Sequence, residues 1–211
     1  MKKFLILAIV ALFASPSVRV QAQETAGTVA SSEEAQYKNY HRIFFGYAPT
    51  IFYEERGRRD DSDALHGFNV GWLGGFNVTG KRLPLYLEAG AKANVGLGEL
   101  LSDFDKYLAI EVPLNVAYRF HIPNTKIHLS PYMGLHFKAN VLGRGKGGFD
   151  YFDLEGTKRF QFGMQAGGHF DFNHFNVGLG YSFDFLPIQK MSDYDYKVTT
   201  WGLFLNLGLV F

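Results

Sequence analysis

The sequence predicts an all-β protein, an eight-stranded antiparallel transmembrane up-and-down β-barrel. Three observations lead there. Period-two alternation of apolar and small or polar residues recurs from residue 40 to the end, which is strand rather than helix periodicity. The large residues fall on one face of every stretch and are too bulky to share the bore of an eight-stranded barrel. Finally, short and long connections alternate along the chain, as they do in barrels that cross an outer membrane.

Composition narrows the classes of function. At 211 residues the chain suits a single domain, and 24 glycines with 17% aromatics favour many short strands packed closely over a helical bundle. A net charge of +1, with basic residues scattered, argues against a nucleic-acid partner. The chain has no cysteine. Disulfides, thiolate metal sites, a Cys nucleophile and a lipoprotein anchor are thereby excluded, and no residue pattern calls for a cofactor or a metal.

Taken in order, residues 1–22 read as a secretory signal peptide: Lys2 and Lys3, the apolar run FLILAIVALFA, then Val20 and Ala22 before the cleavage point. That run is about a dozen residues long, short of the roughly 20 that a membrane helix needs. Residues 23–39 are polar and aperiodic, a flexible periplasmic lead-in. The barrel domain is expected over residues 40–211.

Its first strand, near residues 42–54, is the least regular. The second sets Phe68, Val70, Trp72 and Phe76 against Asn69, Gly71 and Gly75. In the third, Leu87, Ala91 and Val95 oppose Glu88, Lys92 and Asn94; in the fourth, Ile110, Val112, Leu114 and Val116 oppose Glu111, Asn115 and Arg119. The fifth opposes Leu129, Leu135 and Phe137 to Ser130, His136, Lys138 and Asn140, and the sixth Phe160, Phe162 and Phe170 to Gln161, Gln165, His169 and Asp171. The seventh sets Phe175, Val177, Leu179, Tyr181 and Phe183 against Asn176, Gly178, Gly180, Ser182 and Asp184. The last, TTWGLFLNLGLVF, alternates Trp201, Leu203, Leu205, Leu207, Leu209 and Phe211 with Gly202, Phe204, Asn206 and Gly208. The connections VTGKR, HIPNT and the turn at Asn173 and His174 are short; ERGRRDDSDA, GELLSDFDK, LGRGKGGFDYFDLEGT and LPIQKMSDYDY are long. Four external loops and periplasmic termini follow from that alternation.

Inward charges of both signs predict a polar network in the lumen built from Glu88, Lys92, Glu111, Arg119, His136 and Lys138, because an unpaired buried charge is costly. Counting from the short turns places Glu111 level with His136 and with Lys92. Such a network would plug the barrel; a narrow pore is the competing reading.

The strands RFQFGMQAGGHFDF and HFNVGLGYSFDF resemble those of small eight-stranded outer-membrane barrels of Gram-negative bacteria, the OmpA transmembrane type, and most of all the porin-like outer-membrane β-barrel proteins of Bacteroidota. The resemblance implies residence in the outer membrane, contact with its lipid and lipopolysaccharide, and insertion by the barrel-assembly machinery. It also implies that Leu205, Leu207, Leu209 and Phe211 form the signal that this machinery reads. A structural or surface-interaction role without catalysis, through external loops that meet an unidentified partner, is the expectation. His128 and Ser130 resemble the His-x-Ser of outer-membrane lipid A deacylases, but they fall beside a short turn, away from the outer leaflet. GRGKGG, residues 143–148, reads as a mobile basic loop whose Arg144 and Lys146 could meet lipid phosphates.

Overall fold

The computed structural model describes residues 38–56, 59–79, 83–97, 104–145, 148–191 and 196–211. The expected signal peptide and all but the last two residues of the lead-in lie outside the described residues, and among these no helix is long and apolar enough to cross a membrane.

Among the described residues twelve strand segments follow in order: β1 (Tyr40–Tyr47), β2 (Thr50–Arg56), β3 (Arg59–Leu65), β4 (Gly67–Asn77), β5 (Leu85–Leu97), β6 (Phe104–Tyr118), β7 (Phe120–His121), β8 (Ile127–Gly145), β9 (Phe160–Phe172), β10 (Phe175–Asp184), β11 (Gln189–Met191) and β12 (Tyr196–Val210). Eight of them are the staves of a closed antiparallel barrel, β1, β4, β5, β6, β8, β9, β10 and β12, each paired with the next. The ring shuts where β12 pairs with β1, Arg42 opposite Val210 and Tyr47 opposite Leu205. Closure leaves no ladder edge open around these staves.

The faces sort as volume requires. Leu203, Leu205, Leu207 and Leu209 point outward, Leu207 being 62% exposed, whereas Asn206 beside it is 3% exposed. The same division holds on β4, β6, β8 and β10, where Val70, Val112, Phe137 and Leu179 face out and Asn69, Glu111, Lys138 and Asn176 face in. Trp201 and Phe211 delimit the outward apolar face of β12. About ten residues at ~3.4 Å each, tilted ~45°, project to about 24 Å, close to the ~25 Å apolar band of a membrane barrel. Aromatics gather toward both ends of that band, with Tyr181 and Trp201 5.8 Å apart on one side and Tyr118 and Phe120 4.6 Å apart on the other.

All four long connections turn out to be partly strand, Phe104–Lys106 of the second opening β6 while its residues 98–103 lie outside the described ones. ERGRRDDSDA forms most of a hairpin, β2 against β3, with Thr50 opposite Leu65 and Arg56 opposite Arg59. Outside a bilayer both faces of a strand can meet water, so a hairpin there needs backbone pairing but no apolar alternation. Gly143–Gly145, expected in a mobile loop, end β8, and Gln189–Met191 pair with β12. Beyond β8, Asp150 caps the 3-10 turn Tyr151–Asp153 by accepting from the Phe152 backbone N–H. The irregularity of the first strand is a real interruption at Ala48 and Pro49, between β1 and β2; a proline there cannot donate to a ladder.

Candidate functional site in the barrel lumen

The bore is filled by two polar clusters and an apolar cap. Nearer the short turns, Arg42 is fully buried and divides its guanidinium between two carboxylates: Nη1 donates to Glu88 Oε1 at 2.5 Å, and Nη2 to Asp171 Oδ2 at 2.9 Å. A weaker bond runs from Nη2 to Ser130 Oγ at 3.3 Å. Tyr40 donates to Glu88 at 2.6 Å, and Asn176 donates to Asp171 at 2.6 Å. Arg119 joins through Asp171, 3.2 Å away. The Tyr40 ring also meets both guanidiniums, whose carbons lie 4.3 Å (Arg42) and 4.6 Å (Arg119) from its centroid. Two cations against two carboxylates leave this cluster formally neutral, a condition for burying four charges.

Toward the long connections a second cluster is organised by Asp184. It accepts from His136 Nε2 at 2.7 Å and also from Lys138 and Thr200. Thr200 in turn accepts from Gln161 at 2.9 Å, Gln161 from Asn140 at 2.9 Å, and Asn140 from the Tyr107 hydroxyl at 2.5 Å. Alongside, Lys92 pairs with Glu111 at 2.8 Å and Asn94 donates to the same carboxylate at 3.0 Å. Lys92 also lies 4.8 Å from the centroid of the Phe204 ring, which is buried in the bore. The cap consists of Phe52, Leu65, Tyr107, Ala109, Phe152, Ile188 and Val198. The cavity left beside the upper cluster, bounded by Lys92, Glu111, Lys138 and Asp184, is about 30 Å³, about the share of one water molecule.

Glycines set who meets whom. Gly163 on β9 is opposite both His136 on β8 and Asp184 on β10, so the two side chains join across a stave that has none. Gly134 stands in the same way between Asn115 and Gln165, which bond at 2.7 Å, and Gly75 between Tyr40 and Glu88. A Cβ on Gly163 would come within 2.6 Å of the His136 ring, and one on Gly75 within 2.2 Å of the Tyr40 ring.

All six residues expected in the lumen network are buried there, but they divide between clusters: Glu88 and Arg119 in the first, Lys92, Glu111, His136 and Lys138 in the second. The expected level holds for Lys92, which is directly opposite Glu111, and is off by one pair for His136. Glu111 is opposite Lys138, and His136 is opposite Pro113. Lys138 then turns from Glu111 to Asp184. Sequence reasoning left Arg42, Asp171 and Asp184 out of the network. The signal for the two aspartates was present, since both alternate onto the inward face; Arg42 was hidden by the broken first strand. Leu205, Leu207, Leu209 and Phe211 form an outward row on and just beyond β12.

His128 and Ser130 share the inward face of β8 without bonding to each other among the described residues. Ser130 is fully buried and serves Arg42, while the His128 ring lies 4.8 Å from that of His121. Among the described residues no cluster of three or more His, Cys, Asp or Glu side chains could hold a metal ion.

No family profile matches the chain, nor does any curated protein. Solved structures that it is similar to are small outer-membrane barrels. Ail, the attachment invasion locus protein of Yersinia pestis, crystallised with the heparin analogue sucrose octasulfate, aligns at 17% identity and a TM-score of 0.41, over 82% of this chain and 99% of Ail. Neisserial surface protein A aligns at 13% identity and 0.40, over 79% and 96%. The outer membrane enzyme PagL aligns at 13% and 0.45, over 75% and 97%. At such values the fold assignment rests on the chain's own closed ladder of strands.

Proposed function

We propose that this protein is an integral outer-membrane barrel with a plugged bore and no catalytic activity, acting structurally or through the long connections at its outer end. The observation that carries the reading is the pairing inside the wall: Arg42 with Glu88 and Asp171, Lys138 with Asp184, and Lys92 with Glu111, roofed by an apolar cap. A water-filled channel would leave such groups solvated, and mutual neutralisation is what an occluded lumen needs. The outward row of leucines and aromatics suits acyl chains and would be a liability in water. In this arrangement the short turns and both ends of the barrel domain face the periplasm, and the barrel-assembly machinery reads the row that ends at Phe211.

The test is electrical and chemical together. Purified chain reconstituted in planar bilayers should show no steady conductance; sustained large openings would replace this reading with a pore. Lipid A mass spectra from a test strain should be unchanged on expression, and loss of an acyl chain would instead point to a lipid-modifying enzyme. Extraction in mild detergent followed by pull-down then reveals the partner of the outer end.

A further inference from the structure

We propose that the outer wall formed by β6, β8 and β9 carries a site for a phosphate-bearing acylated lipid of the outer leaflet, lipopolysaccharide in its lipid A portion. This rests on the membrane reading above and names a ligand and a place for it.

The first half of the site is a groove of about 330 Å³ on the outside of the barrel, lined mainly by Ile110, Val112, Phe137, Ala139, Phe160 and Phe162. Its shape follows from the register. Ala139 is opposite Ile110 on one side and Phe160 on the other, while Phe137 is opposite Val112 and Phe162. One small residue in a row of large ones makes a floor between walls, and Phe160, 75% exposed, stands beside it with little to cover its ring. The volume equals the share of about eleven waters at ~30 Å³ each, enough for a stretch of acyl chain.

The second half lies above the groove. Lys106 on β6 is directly opposite Arg144 on β8, both exposed. Their inward neighbours Tyr107 and Gly143 are buried, so both cations are on the outer face. Directly opposed side chains have Cβ atoms about 5 Å apart, and like charges so placed repel. Among the described residues neither takes part in a salt bridge. The nearby acids Asp150 and Asp153 are engaged by Arg159, at 3.3 and 3.8 Å. Lys158, two residues before Phe160, is a further exposed cation without an acidic partner among the described residues. A phosphate between Lys106 and Arg144 would turn their repulsion into two charge-assisted contacts. Lys106 is four residues above Ile110, about 13 Å at ~3.3 Å per residue, a separation that a headgroup spans while its chain enters the groove.

The test uses the full mature chain in detergent and native mass spectrometry with three lipids: bisphosphorylated lipid A, the same lipid stripped of phosphate, and phosphatidylglycerol. Bisphosphorylated lipid A should be retained in preference to both others, by roughly tenfold or more. K106Q/R144Q should abolish the preference, and A139W, which fills the groove, should lower lipid A retention in all forms. Equal retention of the three lipids by the wild-type chain overturns the site without reference to any variant, as does an unaltered preference in K106Q/R144Q. Unchanged retention by A139W overturns the groove as the seat of the chain. Gel mobility before and after boiling separates the failures: a normal heat-dependent shift with no lipid preference sinks this site alone, whereas no shift in the wild-type chain sinks the membrane reading with it.

Discussion

Arg42 is the residue on which the inner cluster depends. It is fully buried, and its guanidinium faces Glu88 and Asp171 at hydrogen-bond distance. Removing one partner of a buried ionic group leaves the others desolvated without compensation, at a cost of about 3–5 kcal/mol. R42M should therefore lower stability by about that amount, read by urea unfolding in detergent with the fluorescence of Trp72 and Trp201. Neutralising one acid as well, in R42M/E88Q, should restore most of the loss, because Arg119 then stays paired with Asp171 and the cluster is neutral again. Lys197 and Glu55 are 3.7 Å apart and about two-fifths exposed. Screening by water makes such a pair weak, and removing both should change stability by less than about 0.5 kcal/mol.

At the level of the strand, the two faces and the glycines impose different rules. On β9, a Cβ at Gly163 would sit 2.2 Å from the Phe183 carbonyl and 2.6 Å from His136, whereas at Gly168 the nearest atom outside its chain neighbours is 4.0 Å away. G163V should cost about 1–3 kcal/mol or more through overpacking and should break the bond between His136 and Asp184. G168V, on the same strand, should be neutral or slightly stabilising, since a β-branched side chain favours an extended backbone. Paired unfolding curves decide, and equal effects would contradict the spacer role of Gly163. On β12, L205R places a charge on the apolar side of the wall. Folding into vesicles should become less favourable by about 2–4 kcal/mol if Leu205 lies near the midplane, while the same protein with an intact wall should fold normally.

For the whole molecule, the relevant property is that the bore is closed twice, by charge pairing and by the apolar cap of Phe52, Phe152, Ile188 and their neighbours. Opening it requires more than one break. F152A alone should leave conductance absent, because the cluster around Asp184 persists beneath; steady current from F152A in planar bilayers would show the cap to be the sole seal. The Asp150 cap and the 3-10 turn hold Phe152 in place, so the long connection contributes to closure as well as to the surface.

How much of this was legible beforehand differs by feature. Alternation fixed which way Leu207 and Asn206 point, because a strand's side chains change face at every residue and the bore is too narrow for the large set. The number of staves and the order of short and long connections were likewise readable from the chain. The inward aspartates Asp171 and Asp184 were visible as positions but not as partners. Asp184 meets His136 from two staves away, over a glycine, and Asp171 meets Arg42 across the bore. Both distances depend on barrel curvature and on the register of the closing pair, β1 with β12. The broken first strand concealed Arg42, and paired backbone turned the polar connection ERGRRDDSDA into a hairpin. By itself, then, the sequence determined sidedness and strand count, which follow from local periodicity and side-chain volume. Only the tertiary structure decided which buried charges neutralise one another, because that depends on the stagger at which a flat pattern is rolled into a cylinder.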